Sequence, residues 1–230
     1  MSMRGIDISN WKKGLDLDEL EGVEFVICKA TEGLGFVDRC CDPWMQWCFD
    51  HDMPCGFYHF ARQNDPEDEA EYFHEHTKGY VGKAIPILDW ESDQNVDWVN
   101  SFCRRYHDLT DVWPWIYANP WRFNQGGVDS DCDRWIASYP PCDKPSIDLD
   151  LPSPPSTDGL VCAWQFASDG QVEGADGFDL DISVYYGDRE SWDKYVMGDR
   201  SSDDSGDDGS HDVDTETLIG DTYTVTVTRR

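Results

Sequence analysis

The chain reads as an α/β protein, an irregular TIM-like (β/α) barrel of about eight strands with fewer than eight helices. Three observations predict this. Eight short runs rich in β-branched and aromatic residues recur between residues 4 and 184, each of strand length. Segments with helical period separate several of them, and strands alternating with helices imply a parallel sheet that closes once about eight units are present. The 230 residues are 39% hydrophobic and include 11 Trp, enough to fill one large core.

The first two strands are expected at Arg4–Ser9 and Phe25–Ala30. Cys41–Asp52 places Trp44, Met45, Trp47, Cys48 and Phe49 at helical spacing ahead of a third strand, Cys55–Phe60. Asp65 then offers an N-cap, with Pro66 at the first helical position and acids in the first turn of a helix over Pro66–Lys78. A fourth strand, Ile85–Trp90, precedes a helix over Val96–Asp108 carrying Trp98, Val99, Phe102 and Cys103. Strands follow at Trp115–Ala118, Arg134–Ala137, Val161–Phe166 and Phe178–Val184, with Trp192–Met197 as a closing helix. Residues 140–158 hold Pro140, Pro141, Pro145, Pro152, Pro154 and Pro155 where a regular barrel has a helix, so that unit is expected to be a loop. Residues 1–198 thus form one domain. Residues 199–214, made of Ser, Asp and Gly with almost no apolar side chain, read as an acidic disordered linker. Residues 215–230 read as a tail, disordered or the start of a truncated module, since a lone alternating strand has no core of its own.

The formal charge of −29 excludes a nucleic-acid binder, because nothing would neutralise phosphates, and disfavours an anionic membrane surface. Residues 199–230 contribute −6, so −23 belongs to the folded part. No apolar run approaches the roughly 20 residues needed to span a bilayer. The stretch Met1–Asp7 carries no signal-peptide core, which suggests either synthesis without a secretion signal or loss of one. Nine Cys is an odd number at no metal or redox spacing, so reduced structural thiols are expected. His51 and His59 have no second His or Cys at ligand spacing. Asp129–Asp133 and Asp212–Glu216 lack the glycine that a calcium loop needs, so neither metal nor cofactor is expected.

The chemistry concentrates in Ile85-Pro86-Ile87-Leu88-Asp89-Trp90-Glu91. Residues i and i+2 of a strand share a face, so Asp89 and Glu91 project together from its C-terminal end. Two acids held that close cannot both ionise freely. Such a pair suits an enzyme that protonates a leaving oxygen while a second carboxylate supports the cation left behind. Asp7 ends the first strand, and Asp179 or Asp181 belongs to the last. Acids at the C-terminal ends of barrel strands read as catalytic.

These residues fall into motifs that resemble the family 25 glycoside hydrolases, the lysozyme-like muramidases of bacteria and phages. The motifs are Gly5-Ile6-Asp7-Ile8-Ser9, Lys29-Ala30-Thr31-Glu32-Gly33, Gly56-Phe57-Tyr58-His59-Phe60 and Leu88-Asp89-Trp90-Glu91. They continue with Ile116-Tyr117-Ala118-Asn119, Trp135-Ile136-Ala137-Ser138-Tyr139, Ala163-Trp164-Gln165 and Gly177-Phe178-Asp179-Leu180-Asp181. Each is weak alone; their ordered succession is specific. The resemblance implies hydrolysis of the β-1,4 bond between N-acetylmuramic acid and N-acetylglucosamine in peptidoglycan strands, at the bacterial wall, by a monomeric phage lysin or secreted enzyme.

Carried over residue by residue, the resemblance makes Glu91 the proton donor, Asp89 the acid beside it, and Asp7 and Asp179 further acids of the groove. Asp181 stands where such enzymes often have Asn, which leaves open which of Asp179 and Asp181 faces the sugar. Glu32 either pairs with Lys29 or contacts substrate. Tyr58, Tyr117, Tyr139 and Trp164 either stack on sugars or fill the barrel, and Gln165 is a candidate hydrogen-bonder to sugar. Net retention is expected, with Asp89 supporting a nucleophile or the substrate's own acetamido group, although strand spacing alone allows inversion. Glu91 is expected to hold its proton while Asp89 ionises first. A non-catalytic glycan-binding protein on the same barrel is the competing reading, and the full set of acids argues against it.

Overall fold

The computed structural model describes residues 2–198, together with the backbone of two further segments, 215–220 and 223–228. The chain divides into two compact units, Met1–Arg200 and Ser201–Arg230.

In the first unit, eight strands close into a barrel: β1 (Met3–Ile8), β2 (Phe25–Glu32), β4 (Cys55–Phe60), β5 (Ile85–Asp89), β6 (Trp115–Ala118), β7 (Arg134–Ala137), β8 (Val161–Gly170) and β9 (Leu180–Tyr185). A two-residue strand, β3 (Phe36–Val37), lies antiparallel on β2 outside the closed ring. Five α-helices accompany them: α1 (Cys41–Asp50), α2 (Pro66–Thr77), α3 (Val96–Thr110), α4 (Pro120–Phe123) and α5 (Arg189–Val196). Asp65 caps α2 by accepting from the backbone of Glu67 and Asp68, ahead of Pro66. The chain between β7 and β8 is loop, as its six prolines predict.

One strand departs from the parallel expectation. The other seven barrel strands run parallel, but β9 is antiparallel to both β8 and β1. The reason lies in the connection. Residues 171–179 contain no helix to carry the chain back along the wall, so the strand returns in the opposite sense. The expected strand Phe178–Val184 therefore starts at Leu180 instead, and its N-terminal end lies at the mouth formed by the C-terminal ends of the others.

Side-chain alternation divides each strand between two layers. Ile6, Ile8, Val26, Cys28, Phe57, Leu88, Ile116 and Ile136 face outward into the layer covered by the helices. Phe25, Ile27, Ile85, Ile87, Trp115, Tyr117, Trp135, Ala163 and Tyr185 fill the interior. α5 closes the floor, where Trp192 packs on Phe25, Tyr185 and Trp115 with ring centroids 5.0, 5.1 and 5.5 Å away. Two register shifts reverse this parity near the mouth. One between Lys29 and Thr31 leaves Lys29 inside and turns Thr31 out to His59; another between Gln165 and Ala167 keeps Gln165 inside and turns Ala167 out.

All nine cysteines are free thiols. Cys142 is exposed and Cys40 half-buried, while the rest pack as small hydrophobes. Among the described residues no helix is long and apolar enough to cross a membrane.

In the second unit, β10 (Thr215–Gly220) and β11 (Tyr223–Thr228) pair antiparallel in a hairpin from Thr215↔Thr228 to Gly220↔Tyr223. The lone strand expected in this tail thus has a partner that its polar first half concealed. The linker expected at 199–214 lies outside the described residues.

Candidate active site

Going up the barrel, the inward positions change from apolar to polar. On β1 the sequence Met3, Gly5, Asp7 climbs one face; on β5 it is Ile85, Ile87, Asp89; on β8 it is Ala163, Gln165. The floor is sealed and the mouth is acidic. A cavity of about 260 Å³ opens there, lined by Asp7, Asp89, Glu91 and Asp181, with Tyr58, Tyr117, Tyr139 and Trp11 among its walls.

Asp7 and Asp181 are directly opposed across the β1–β9 pair. Burial pushes Asp7 well above the ordinary carboxylate range, and the neighbouring Asp181 adds to this. Asp181 itself is pushed up to about 6, chiefly by burial. Gln165 holds Asp7 in place. Its Oε1 accepts from the hydroxyls of Tyr117 and Tyr139, each at 2.7 Å, which turns its Nε2 to donate to Asp7 Oδ2 at 2.8 Å. Two donors on one amide oxygen leave only one orientation for the amide.

Asp89 is 6% exposed, and its Oδ1 is buried with no hydrogen-bond partner in the protein. Burial, and then the charge of Glu91, raise its pKa well above the usual value. Glu91 sits two residues beyond the strand at the exposed rim. Burial raises it too, against the opposing fields of Arg122 and Lys29. Burial thus raises both carboxyls, and Asp89 is the more deeply buried of the two.

Of the residues singled out in the sequence, the groove gathers Asp7, Asp89, Glu91, Asp181, Tyr58, Tyr117, Tyr139 and Gln165. Three others lie elsewhere. Asp179 precedes β9, outside its alternation, and its exposed carboxylate pairs with Lys144 at 3.1 Å and accepts from Gln171 at 2.9 Å. Asp181, one antiparallel step inside the strand, takes the groove position instead. Trp164 points away from the interior because Gln165 points in; it is 2% exposed and donates to the Ser138 carbonyl. Glu32 resolves to its ion-pair alternative, with Lys29 at 2.6 Å and Arg62 at 2.5 Å. His59 is structural, bonded to Thr31 and Glu69 outside the barrel wall.

Sequence reasoning missed Trp11, 84% exposed beside the acids, and Lys29 within the cavity. An aromatic four positions after Asp7, just past a strand end, was the available signal.

An eight-stranded barrel with a sealed floor, clustered carboxylates and aromatic walls at its mouth defines a barrel of the glycoside hydrolase class. The chain belongs to the glycosyl hydrolases family 25, whose family model matches residues 6–175. It is 31% identical over 189 residues to an autolytic lysozyme of Clostridium acetobutylicum, covering 78% of this chain and 55% of the relative. The chain thus spans about half the length of that protein. A family 25 glycosyl hydrolase from Bacillus anthracis superposes with a TM-score of 0.70 at 25% identity, over 85% of this chain and 94% of its own. A bacterial lysozyme from Streptomyces coelicolor shares the fold, with a TM-score of 0.71 at 22% identity, covering 86% and 98% of the two chains.

Proposed function

We propose that the protein is a lysozyme-type peptidoglycan hydrolase acting at the bacterial wall. It cleaves the β-1,4 bond between N-acetylmuramic acid and N-acetylglucosamine, with Glu91 as general acid and base. The observation that carries this reading is the pairing of Glu91, at the rim with its proton affinity raised by burial, with a buried Asp89 whose Oδ1 has no protein partner.

Substrate supplies what both groups lack. A sugar seated over the mouth strips water from Glu91 and raises its proton affinity further. The substrate's acetamido N–H fits the unpartnered Asp89 Oδ1, and that hydrogen bond favours the ionised carboxylate. Binding so favours the proton on Glu91 and the charge on Asp89. Glu91 then protonates the departing oxygen, the acetamido oxygen closes on the anomeric carbon, and the Asp89 carboxylate supports the positive charge that develops on the amide. Water, deprotonated by Glu91, opens the cyclic intermediate with net retention. Asp7 and Asp181 line the groove beside this pair, and the exposed ring of Trp11 provides a face on which a sugar can stack.

Mass spectrometry of fragments released from purified peptidoglycan tests the reading. Reducing ends on N-acetylmuramic acid are expected; reducing ends on N-acetylglucosamine would overturn the bond assignment, and no fragments at all would overturn the enzyme reading.

A further inference from the structure

Glu91 lies two residues past the end of β5, in a loop that the barrel ladder no longer holds. Something else must fix it. The Trp90 backbone donates to the Tyr117 carbonyl at 2.8 Å, and its indole donates to the Gln94 carbonyl at 3.0 Å, which ties the loop behind Glu91. In front, Arg122 of α4 reaches over from the end of the neighbouring strand. Its Nη2 donates to the Glu91 carbonyl at 2.9 Å, and its guanidinium lies over the Trp90 ring, 5.1 Å from the centroid. α4 itself is pinned by Asn119, whose side chain accepts from the Arg122 backbone at 3.1 Å. One planar cation therefore spans the aromatic ring before Glu91 and the carbonyl of Glu91 itself.

We propose that Arg122 is a positioning residue that clamps the Glu91 loop and so aims the Glu91 carboxyl over the groove. Two properties of arginine are used together, the flat face that stacks on an indole and the fork that bonds a carbonyl beside it. The same charge faces Glu91 in a crowded field. Lys29 of β2 acts in its favour as an anion, while Asp89 of β5, Asp7 of β1 and Asp181 of β9 oppose it, and the hydroxyls of Tyr58, Tyr117 and Tyr139 stand around them. Arg122 is the foremost influence holding the Glu91 pKa down against burial.

This inference rests on Glu91 being the proton donor, so Glu91→Gln is measured alongside. The assay is the pH profile of kcat/KM on purified peptidoglycan, with thermal melting of each variant. Arg122→Gln removes clamp and charge. Its rate is expected to fall about 10- to 100-fold, as misplacement of a reacting group by up to about an ångström does. Its basic limb is expected to move to higher pH, because the lost cation no longer eases ionisation of Glu91. Arg122→Lys keeps the charge without the flat fork. Its limb should return to the wild-type position, with its rate recovering only in part. A merely structural role would lower the rates and leave the limbs where they are. An unmoved limb in Arg122→Gln, with Glu91→Gln inactive, overturns the role of Arg122 alone. An active Glu91→Gln overturns the proton-donor reading on which the inference depends. If Arg122→Gln melts more than about 5 °C below wild type, Arg122→Lys decides, and a displaced limb in that variant overturns the proposal.

Discussion

Replacing Asp181 by Asn should make the protein more stable, and by an amount that depends on pH in a defined window. Asp181 faces Asp7 across the antiparallel β1–β9 pair, where like charges are unfavourable. Burial, above all, raises its pKa from 3.8 to about 6. A group that binds its proton more tightly folded than unfolded costs stability once both states are ionised. At roughly 1.36 kcal/mol per pH unit the cost is about 3 kcal/mol. The sign follows directly. Below pH 3.8 the carboxyl is protonated in both states and Asn gains nothing. As pH rises towards 6 the unfolded chain ionises while the fold holds its proton, so wild-type stability declines. Above pH 6 the whole penalty is present. Asn is close to Asp in shape and carries no charge, so Asp181→Asn should gain up to about 3 kcal/mol at pH 7. For a barrel of this size that raises Tm by about 6–12 °C. Calorimetric melts of both proteins from pH 3 to 8 test it. The curves should converge near pH 3.5 and separate between pH 4 and 6. A difference that ignores pH, or a variant less stable at pH 7, would refute the electrostatic account of this strand pair.

Three further outcomes are expected. Glu91→Gln should cost about 10²–10⁴-fold in turnover with an unchanged melt, because general-acid catalysis is lost at an exposed position; retention of a tenth of the activity would exclude Glu91 as the acid. Trp192→Ala should lower stability by about 3–5 kcal/mol, or about 6–20 °C in Tm, because it empties the floor of the barrel among Phe25, Tyr185 and Trp115; a drop under about 3 °C would show that α5 does not seal it. Raising salt from about 0.1 to 1 M shortens the screening length from about 10 to 3 Å. With −29 on the whole chain, Tm should therefore rise; a Tm that falls with added salt would count against repulsion among the acids.

The acids at the mouth were legible because they obey the shortest rules in the chain. Asp89 follows an unbroken apolar run, and Asp7 ends the first one, so period two alone placed both inside. What sequence could not supply was direction and parity. Nothing in Phe178–Val184 announces that its strand runs backwards; that depends on the missing helix before it, and it decided between Asp179 and Asp181. Trp164 and Gln165 are adjacent, so one must point out, and only the barrel's closure showed which. The electrostatics of the pair were legible only in part. Proximity of Asp89 and Glu91 is visible in their spacing, but the unequal depth of the two carboxyls is a property of the folded wall.

The pairing of β9 with β1 joins Met3 to Tyr185 at the floor, so the two ends of the barrel wall are neighbours. The wall is a ring whose covalent break happens to fall at that seam, where hydrogen bonds alone hold it shut. Order along the chain is then a matter of where the ring is cut. A circular permutant, with the ends bridged by a short linker and new termini opened in the loop between β7 and β8, would retain every strand neighbour and leave the carboxylate mouth assembled from the same ladder.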